Sequence, residues 1–291
     1  MYFCVKFTQM KILNLSSDFQ IPSQIVAIPF EAFTFNGGEP HIKLGTLPED
    51  KQEEILIAQR VTSSEAFMQL LLATDALRRA GFRKISTWLP YFPAARQDRM
   101  MVPGEPLSVK VYAQILNAQG YERVMVFDPH SDVTPALLDR VEVTTSLPFV
   151  QKVLQLIDNQ YLFLVAPDAG ATKKTHKLAQ QLGGMEVVAC EKIRDVKTGQ
   201  LSGFSVFSDD LNGKDCLITD DICDGGGTFL GIADALRKKG AGRVYLAVSH
   251  GIFSHGFEKL EAALDGIFTT DSFKDIAHPA VKQIALVSFI N

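Results

Sequence analysis

Leu217-Ile218-Thr219-Asp220-Asp221-Ile222-Cys223-Asp224-Gly225-Gly226-Gly227-Thr228 passes from an apolar run into a segment of helical period. It reads as a strand over Cys216–Thr219, a polar loop, and a helix over Thr228–Lys239. Glycines let successive backbone N–H groups converge on an anion, and a helix start adds unpaired donors and positive potential. Thr228 suits both the helix cap and a phosphate oxygen. Asp220 and Asp221 carry the wrong charge for phosphate but accept hydrogen bonds from a vicinal diol. Diol at one end and phosphate at the other describe a sugar phosphate. A glycine-rich turn with acidic solvent contacts is the plainer alternative. It suits a lone glycine run better than it suits Asp-Asp followed by Asp-Gly-Gly-Gly-Thr at one junction.

The same strand-and-helix grammar runs outward in both directions. Thr62–Arg79 is the clearest helix: Thr62 and Glu65 form a capping-box pattern, Phe67, Leu70, Leu71, Ala73 and Leu77 an apolar face, and Gly81 a stop. Helices are also predicted over Ser108–Ala118 and Thr172–Leu182. Strands are predicted over Lys84–Trp88, Arg123–Phe127, Tyr161–Val165, Glu186–Cys190, Arg243–Val248 and Gln283–Phe289. Such alternation implies parallel sheets flanked by helices, an α/β fold. Gly120-x-x-Arg123-Val124 ending at His130 echoes Gly240-x-x-Arg243-Val244 ending at His250, although Gly81–Ile85 shows a similar helix-to-strand turn. A polar stretch near Leu147-Pro148 divides the chain into domains 1–147 and 148–291.

The 291 residues suit two domains, and 46% hydrophobic with 21% charged residues permits a packed core. A net charge of −4 gives no basic footprint for nucleic acid. No segment is apolar enough to span a bilayer, and the N-terminus, interrupted by Lys6 and Lys11, lacks a signal-peptide core. A cytoplasmic protein is expected, with no membrane partner. Cys4, Cys190, Cys216 and Cys223 have no metal-ligand rhythm, and Cys190 and Cys216, in or beside apolar runs, suit buried free thiols.

Further polar clusters follow apolar strands, where open parallel sheets bind ligands. These are Leu89-Pro-Tyr-Phe-Pro-Ala-Ala-Arg96-Gln97-Asp98-Arg99, Asp128-Pro129-His130 and Pro167-Asp168-Ala169-Gly170. With the glycine loop, they resemble the motif set of ribose-phosphate diphosphokinases in order and spacing from about Phe35 to Ser254. The loop itself is shared with type I phosphoribosyltransferases, and the Arg-Gln-Asp core distinguishes the two. Val126–His130 is similar to the family's Asp-x-His motif, Val165–Gly170 to its Ser-Pro-Asp-x-Gly segment, and Ser249–Ser254 to its pattern after the late strand. Lys192-x-Arg194 lies where the family has a mobile catalytic loop.

The resemblance implies two similar phosphoribosyltransferase-like domains, each a mainly parallel sheet flanked by helices. The first would carry ATP sites and the second the ribose 5-phosphate loop and catalytic loop. Phe35 and Glu39, in Phe35-Asn36-Gly37-Gly38-Glu39, would stack on and bond the purine, with Gly37 replacing a usual Asp. By itself this stretch reads as a Gly-Gly hairpin turn. Arg96, Gln97 and Asp98 would hold the nucleotide, and Asp220, Asp221, Asp224, Gly225, Gly226, Gly227 and Thr228 the ribose 5-phosphate. Chemistry alone makes His130 a core or capping histidine, because Mg²⁺ prefers oxygen. The resemblance instead assigns His130 to ATP and, with Asp168, to Mg²⁺, with Asp128 orienting the loop. Lys192 and Arg194, which alone read as a solvated loop, become the cations that steady the transferring diphosphate.

The implied reaction moves the β,γ-diphosphate of ATP to the 1-hydroxyl of ribose 5-phosphate, giving 5-phosphoribosyl 1-diphosphate and AMP. It also implies a homo-oligomer built on dimers and extending to hexamers. Met100-Met-Val-Pro-Gly-Glu-Pro106 is poor in basic residues and the chain ends early, which imply weak phosphate activation and weak ADP allostery. A phosphoribosyltransferase and a non-catalytic regulatory homologue are the two rival readings.

Overall fold

The computed structural model describes residues 10–157, 159, 161–194 and 201–289. Cys4, Lys6, Thr198 and Gly199 lie outside them. The chain forms two compact units. One runs to Thr145 and takes back Ser272–Asp275 and the residues from Ala285; the other holds Ser146–Asp271 and Ile276–Ile284. The sequence reading cuts the chain once, at 147/148, whereas these units have a tail that crosses back.

The first unit contains β1 (Lys11–Asn14), β2 (Phe30–Thr34), β3 (Pro40–Leu44), β4 (Ile55–Ala58), α1 (Ser64–Arg79), β5 (Ile85–Leu89), α2 (Ser108–Ala118), β6 (Val124–Phe127), α3 (Val133–Leu137) and β7 (Val141–Thr144). Its sheet is parallel throughout, in the order β1-β4-β5-β6-β7, while β2 and β3 form a separate antiparallel hairpin. α1 buries Phe67, Leu70, Ala73, Thr74 and Leu77. It is capped one residue later than the sequence pattern suggests: Ser63 Oγ accepts the Ala66 N–H at 3.1 Å. Thr62 and Glu65 form no capping box, because Glu65 instead accepts from Thr34 Oγ1 on the hairpin at 2.7 Å. Gly81, at φ 96°, ends α1 with Phe82 N–H on Leu77 O and Gly81 N–H on Arg78 O.

The second unit contains α4 (Leu147–Ile157), β8 (Phe163–Ala166), α5 (Ala169–Gln181), β9 (Val187–Arg194), β10 (Leu201–Val206), β11 (Cys216–Cys223), α6 (Gly227–Lys238), β12 (Val244–Gly251), α7 (Glu258–Ala263), β13 (Gly266–Thr270) and β14 (Val281–Ile284). The strand order is β10-β9-β8-β11-β12-β13-β14, parallel except for the β9–β10 edge hairpin. The central strands read as continuous apolar runs because both faces are covered. One face packs on α6 through Val165, Cys190, Val206, Ile218, Leu246 and Ile232, among others.

Several expected strand ends move. β11 and β12 run on to Cys223 and Gly251, and the expected strand at Gln283–Phe289 is instead β14 followed by a 3₁₀ turn at Leu286–Ser288. The chain leaves the sheet there because the residues from Ala285 belong to the first unit. Cys190, Cys216 and Cys223 are buried free thiols whose pKa values burial pushes up to about 12. Among the described residues no helix is long and apolar enough to cross a membrane.

Candidate active site

β11 is hydrogen-bonded on both sides, to β8 as far as Ile218 and to β12 as far as Cys223. Asp220 and Asp221 therefore lie inside the strand, not after it, and the ladder to β12 fixes their positions. Asp220 is in register with Val248 and Ile222 with His250. The turn that follows is only Asp224–Gly226. Gly226, at φ 79°, caps α6 without any side-chain bond, and Thr228 sits within the first turn instead of capping it. A Cβ at Gly226 would be strained in this left-handed conformation and would lie 3.0 Å from Leu260 Cδ2. At Gly227 a Cβ would meet nothing within 4 Å among the described residues, which leave the helix start open there. First-turn N–H groups have no intrahelical acceptor, so this opening presents donors and positive potential.

The segment after β12 supports the turn. Ser254 Oγ donates to Asp224 Oδ1 at 2.7 Å, and Ser254 N–H bonds Asp224 O at 3.1 Å. Ile252 and Phe253 N–H groups both bond Cys223 O. His255 covers Gly225 so closely that a Cβ there would lie 2.9 Å from Nδ1. Ser249, His250 and Gly251 belong to β12, where all three are buried. The supporting roles of Ser254 and His255 have no local sequence signal, because they act on a turn 30 residues away.

Lys192 also sits inside a strand. The sequence places Lys192 and Arg194 on an exposed excursion, but β9 continues to Arg194, because its alternating charges suit an edge hairpin. The side chain of Arg194 lies outside the described residues. Lys192 Nζ donates to Asp168 Oδ2 at 3.0 Å, while Asp168 Oδ1 accepts the Ala171 N–H at 3.1 Å and caps α5. That cap starts the helix at Ala169, three residues before the expected Thr172. The side chains of the pair are 31% and 35% exposed, a setting where ion pairs contribute about 0–1 kcal/mol. A stronger anion can therefore draw Lys192 away at little cost.

Three carboxylates gather here. Although part of Asp220 still reaches the surface, its carboxyl group is enclosed. Burial first, then the Asp221 and Asp168 charges, hold its pKa well above the usual carboxylate value. Behind the strand lies a cavity of ≈ 20 Å³, bordered by Ser146, Lys174, Thr175, Thr219, Asp220 and Ala247. It has room for about one water. Thr219 Oγ1, buried with no hydrogen-bond partner among the described residues, lies beside it.

The remaining candidates lie in the first unit. Phe35 and Glu39 flank the β2–β3 turn, with Phe35 N–H on Glu39 O at 2.9 Å and Gly38 at φ 93°. The Gly-Gly hairpin is therefore real, and it holds the 53%-exposed Phe35 ring against Phe33, with centroids 4.9 Å apart. Arg96, Gln97 and Asp98 follow β5 after a left-handed Ala94 at φ 55°. Arg96 and Gln97 are exposed, while Asp98 is mostly covered and lies 3.7 Å from Arg99 Nε. Asp128, buried at φ 41°, ends β6 with its N–H on Thr144 O at 2.7 Å, and half-buried His130 follows. His130 belongs to the first unit and Asp168 to the second. Among the described residues no cluster of three or more His, Cys, Asp or Glu side chains could hold a metal alone.

Comparison with known proteins matches residues 13–120 to the N-terminal domain of ribose phosphate pyrophosphokinase and residues 149–275 to the phosphoribosyl transferase domain. A ribose-phosphate pyrophosphokinase of Mycoplasma genitalium is 31% identical over 87% of this chain and 78% of its own length. The chain belongs to the ribose-phosphate pyrophosphokinase family. A family member from Corynebacterium glutamicum is 30% identical over 84% of this chain and 76% of its own. The fold matches that of the phosphoribosylpyrophosphate synthetase from Mycobacterium smegmatis. That comparison has a TM-score of 0.80 at 22% identity and covers 96% of this chain and 95% of that one. The motif resemblance is thus a family membership, and the two phosphoribosyltransferase-type domains are its architecture.

Proposed function

We propose that this chain transfers the β,γ-diphosphate of ATP to the 1-hydroxyl of ribose 5-phosphate, releasing AMP. The observation that carries the reading is the open α6 start behind Gly226 and Gly227, with two strand-fixed carboxylates beside it. The 5-phosphate is taken by N–H groups of Gly225–Thr228, and the 2- and 3-hydroxyls donate to Asp220 and Asp221. Asp224, locked by Ser254, shapes the turn.

ATP is assigned to the first domain. Phe35 stacks on the base, Glu39 accepts from its amino group, and Arg96, Gln97, Asp98 and His130 hold the ribose and phosphates. The anomeric oxygen attacks the β-phosphorus in line and AMP departs. Such a transition state spreads negative charge over oxygens, so positioned cations matter more than a protein nucleophile. Lys192 moves from Asp168 to the diphosphate for this purpose, and Arg194 joins it.

Mg²⁺ fits the donor set. A cation held nearby would relieve the crowding of Asp220 by Asp221 and Asp168. The lack of a three-residue cluster among the described residues suits an ion held largely by substrate phosphates and water. When bound, Mg²⁺ neutralises charge on the polyphosphate. Asp168 is its proposed contact in the second unit, and His130 is proposed to meet the metal–nucleotide complex in the first. A homo-oligomer built on dimers completes the proposal, and mass measurement in solution reads its size directly.

The test is incubation of the purified chain with ATP, ribose 5-phosphate and Mg²⁺, followed by separation of nucleotides. Stoichiometric AMP and 5-phosphoribosyl 1-diphosphate are expected. Release of diphosphate only when a nucleobase and the activated sugar are supplied would instead mark a phosphoribosyltransferase. Sugar-phosphate binding without turnover would mark a regulatory homologue.

A further inference from the structure

Gly231 stands in the interior of α6, where glycine is the least favourable residue after proline. Its φ is not positive, so conformational freedom does not explain it; space does. A Cβ at Gly231 would overlap Cε2 of Phe204, lie 2.5 Å from Cδ2 and 3.2 Å from Cζ. The ring of Phe204 occupies the place of a side chain on α6.

Phe204 lies on β10, directly opposite Lys192 on β9. Directly opposed residues of an antiparallel pair project to the same face. The next pair on that face, Cys190 and Val206, is buried in the core with Phe229, Ile232 and Leu236 of α6. Phe204 is therefore the outermost apolar contact of this face before the register shift at Leu201/Gly203 and the residues linking the strands. Gly231 is also one helical turn from Gly227, on the same stripe of α6.

We propose that the seat of Phe204 on Gly231 is a positioning device that holds the β9–β10 hairpin at a set distance from the α6 start and so places Lys192 for transfer. Its catalytic part rests on the function proposed above. Phe204 and Gly231 are positioning residues and touch no substrate.

Gly231→Ala, Phe204→Val and the double variant are compared with wild type in the full chain. Amide exchange of peptides from β9 and β10 reads the hairpin, and AMP formation reads kcat and the ribose 5-phosphate KM. For Gly231→Ala the expected result is hairpin exchange faster by about tenfold, kcat lower by about tenfold and KM changed by less than about twofold, as for a small misplacement remote from the binding loop. The double variant is expected to be no slower than Phe204→Val, because the added methyl enters space the ring has left. A Gly231→Ala protein with wild-type exchange and kcat and a higher melting temperature would overturn the proposal, as an ordinary helical glycine would give. Losses that multiply in the double variant would also overturn it. Should Gly231→Ala not fold, Phe204→Val with wild-type exchange and kcat overturns it alone. If wild type forms no AMP, the functional reading fails and exchange still decides whether the seat holds the hairpin.

Discussion

α2 and α6 hold matching places in the two units, each followed by a left-handed glycine, Gly120 at φ 59° and Gly240 at φ 75°, and then a strand. Their beginnings differ. β11 reaches α6 through Asp224–Gly226, with Gly226 left-handed at the cap, whereas β5 reaches α2 through residues 90–107 and a Leu107 cap with no side-chain bond. The strands after them differ too: Asp128, at φ 41°, ends β6 at Phe127, while β12 continues to Gly251 and supplies the segment that braces the α6 turn. Both helices have a dipole, but only one start is held against a strand end with glycines bare of Cβ. The difference teaches that a helix start becomes an anion site through the turn before it. The long loop of the first unit instead carries exposed Arg96 and Gln97, and Met100 and Met101 beyond them.

The largest break expected in this contrast is at Lys192. Lys192→Ala lowers kcat by about 10²–10³ while leaving ribose 5-phosphate affinity near wild type, since it removes charge stabilisation from the transition state. Steady-state kinetics with AMP detection checks it; an unchanged kcat removes Lys192 from the chemistry. Asp221→Asn weakens the diol contact, and kcat/KM for ribose 5-phosphate falls by about 10–100-fold, the range for a hydrogen bond to a charged group. Next come two left-handed glycines, one from each unit. Gly226→Ala weakens ribose 5-phosphate binding by about tenfold, from backbone strain of ~1–2 kcal/mol and the approach of Leu260. Gly104→Ala, at φ 94° with no neighbour within 4 Å among the described residues, costs similar strain but leaves that binding unchanged. Calorimetric titration of both variants sharpens or erases the distinction.

The smallest effect concerns Asp220. Its pKa is raised in the folded protein, chiefly by burial and then by Asp221, so the folded state holds this proton more tightly than the unfolded chain. Stability is therefore lost as pH rises from the ordinary value of 3.8 through the raised one. Asp220→Asn removes that burden: the unliganded variant melts a few degrees (~2–4 °C) above wild type at about pH 8, and the gap closes on acidification. A melting temperature below wild type at the higher pH contradicts this and would mean the carboxylate stabilises the free protein.

Much of this was legible in the sequence for physical reasons. α2 runs over Ser108–Ala118 as its apolar period indicates, and the Gly81, Gly120 and Gly240 stops hold because each glycine adopts positive φ. The Asp-Asp and glycine run marked the α6 turn. Legibility failed where polar residues stay in a ladder. Asp220, Asp221, Ser249 and His250 look like loop in one dimension but are strand, because the ladder between β11 and β12 runs on past their apolar stretches. Lys192 looked solvated for the same reason. Its pairing with Asp168, 24 residues away, is set by β8 and β9 lying side by side. The capping-box pattern points to Thr62, but Ser63 takes the cap while Glu65 is bonded to the hairpin, a partner 31 residues away.

Backbone resonances of Gly225, Gly226, Gly227 and Thr228, followed while ribose 5-phosphate is added, test the central claim most directly. These four amides are expected to shift together and saturably, with those of Ser108–Lys110 at the α2 start unmoved. Saturable shifts confined to the α2 start, with the four still, would contradict it.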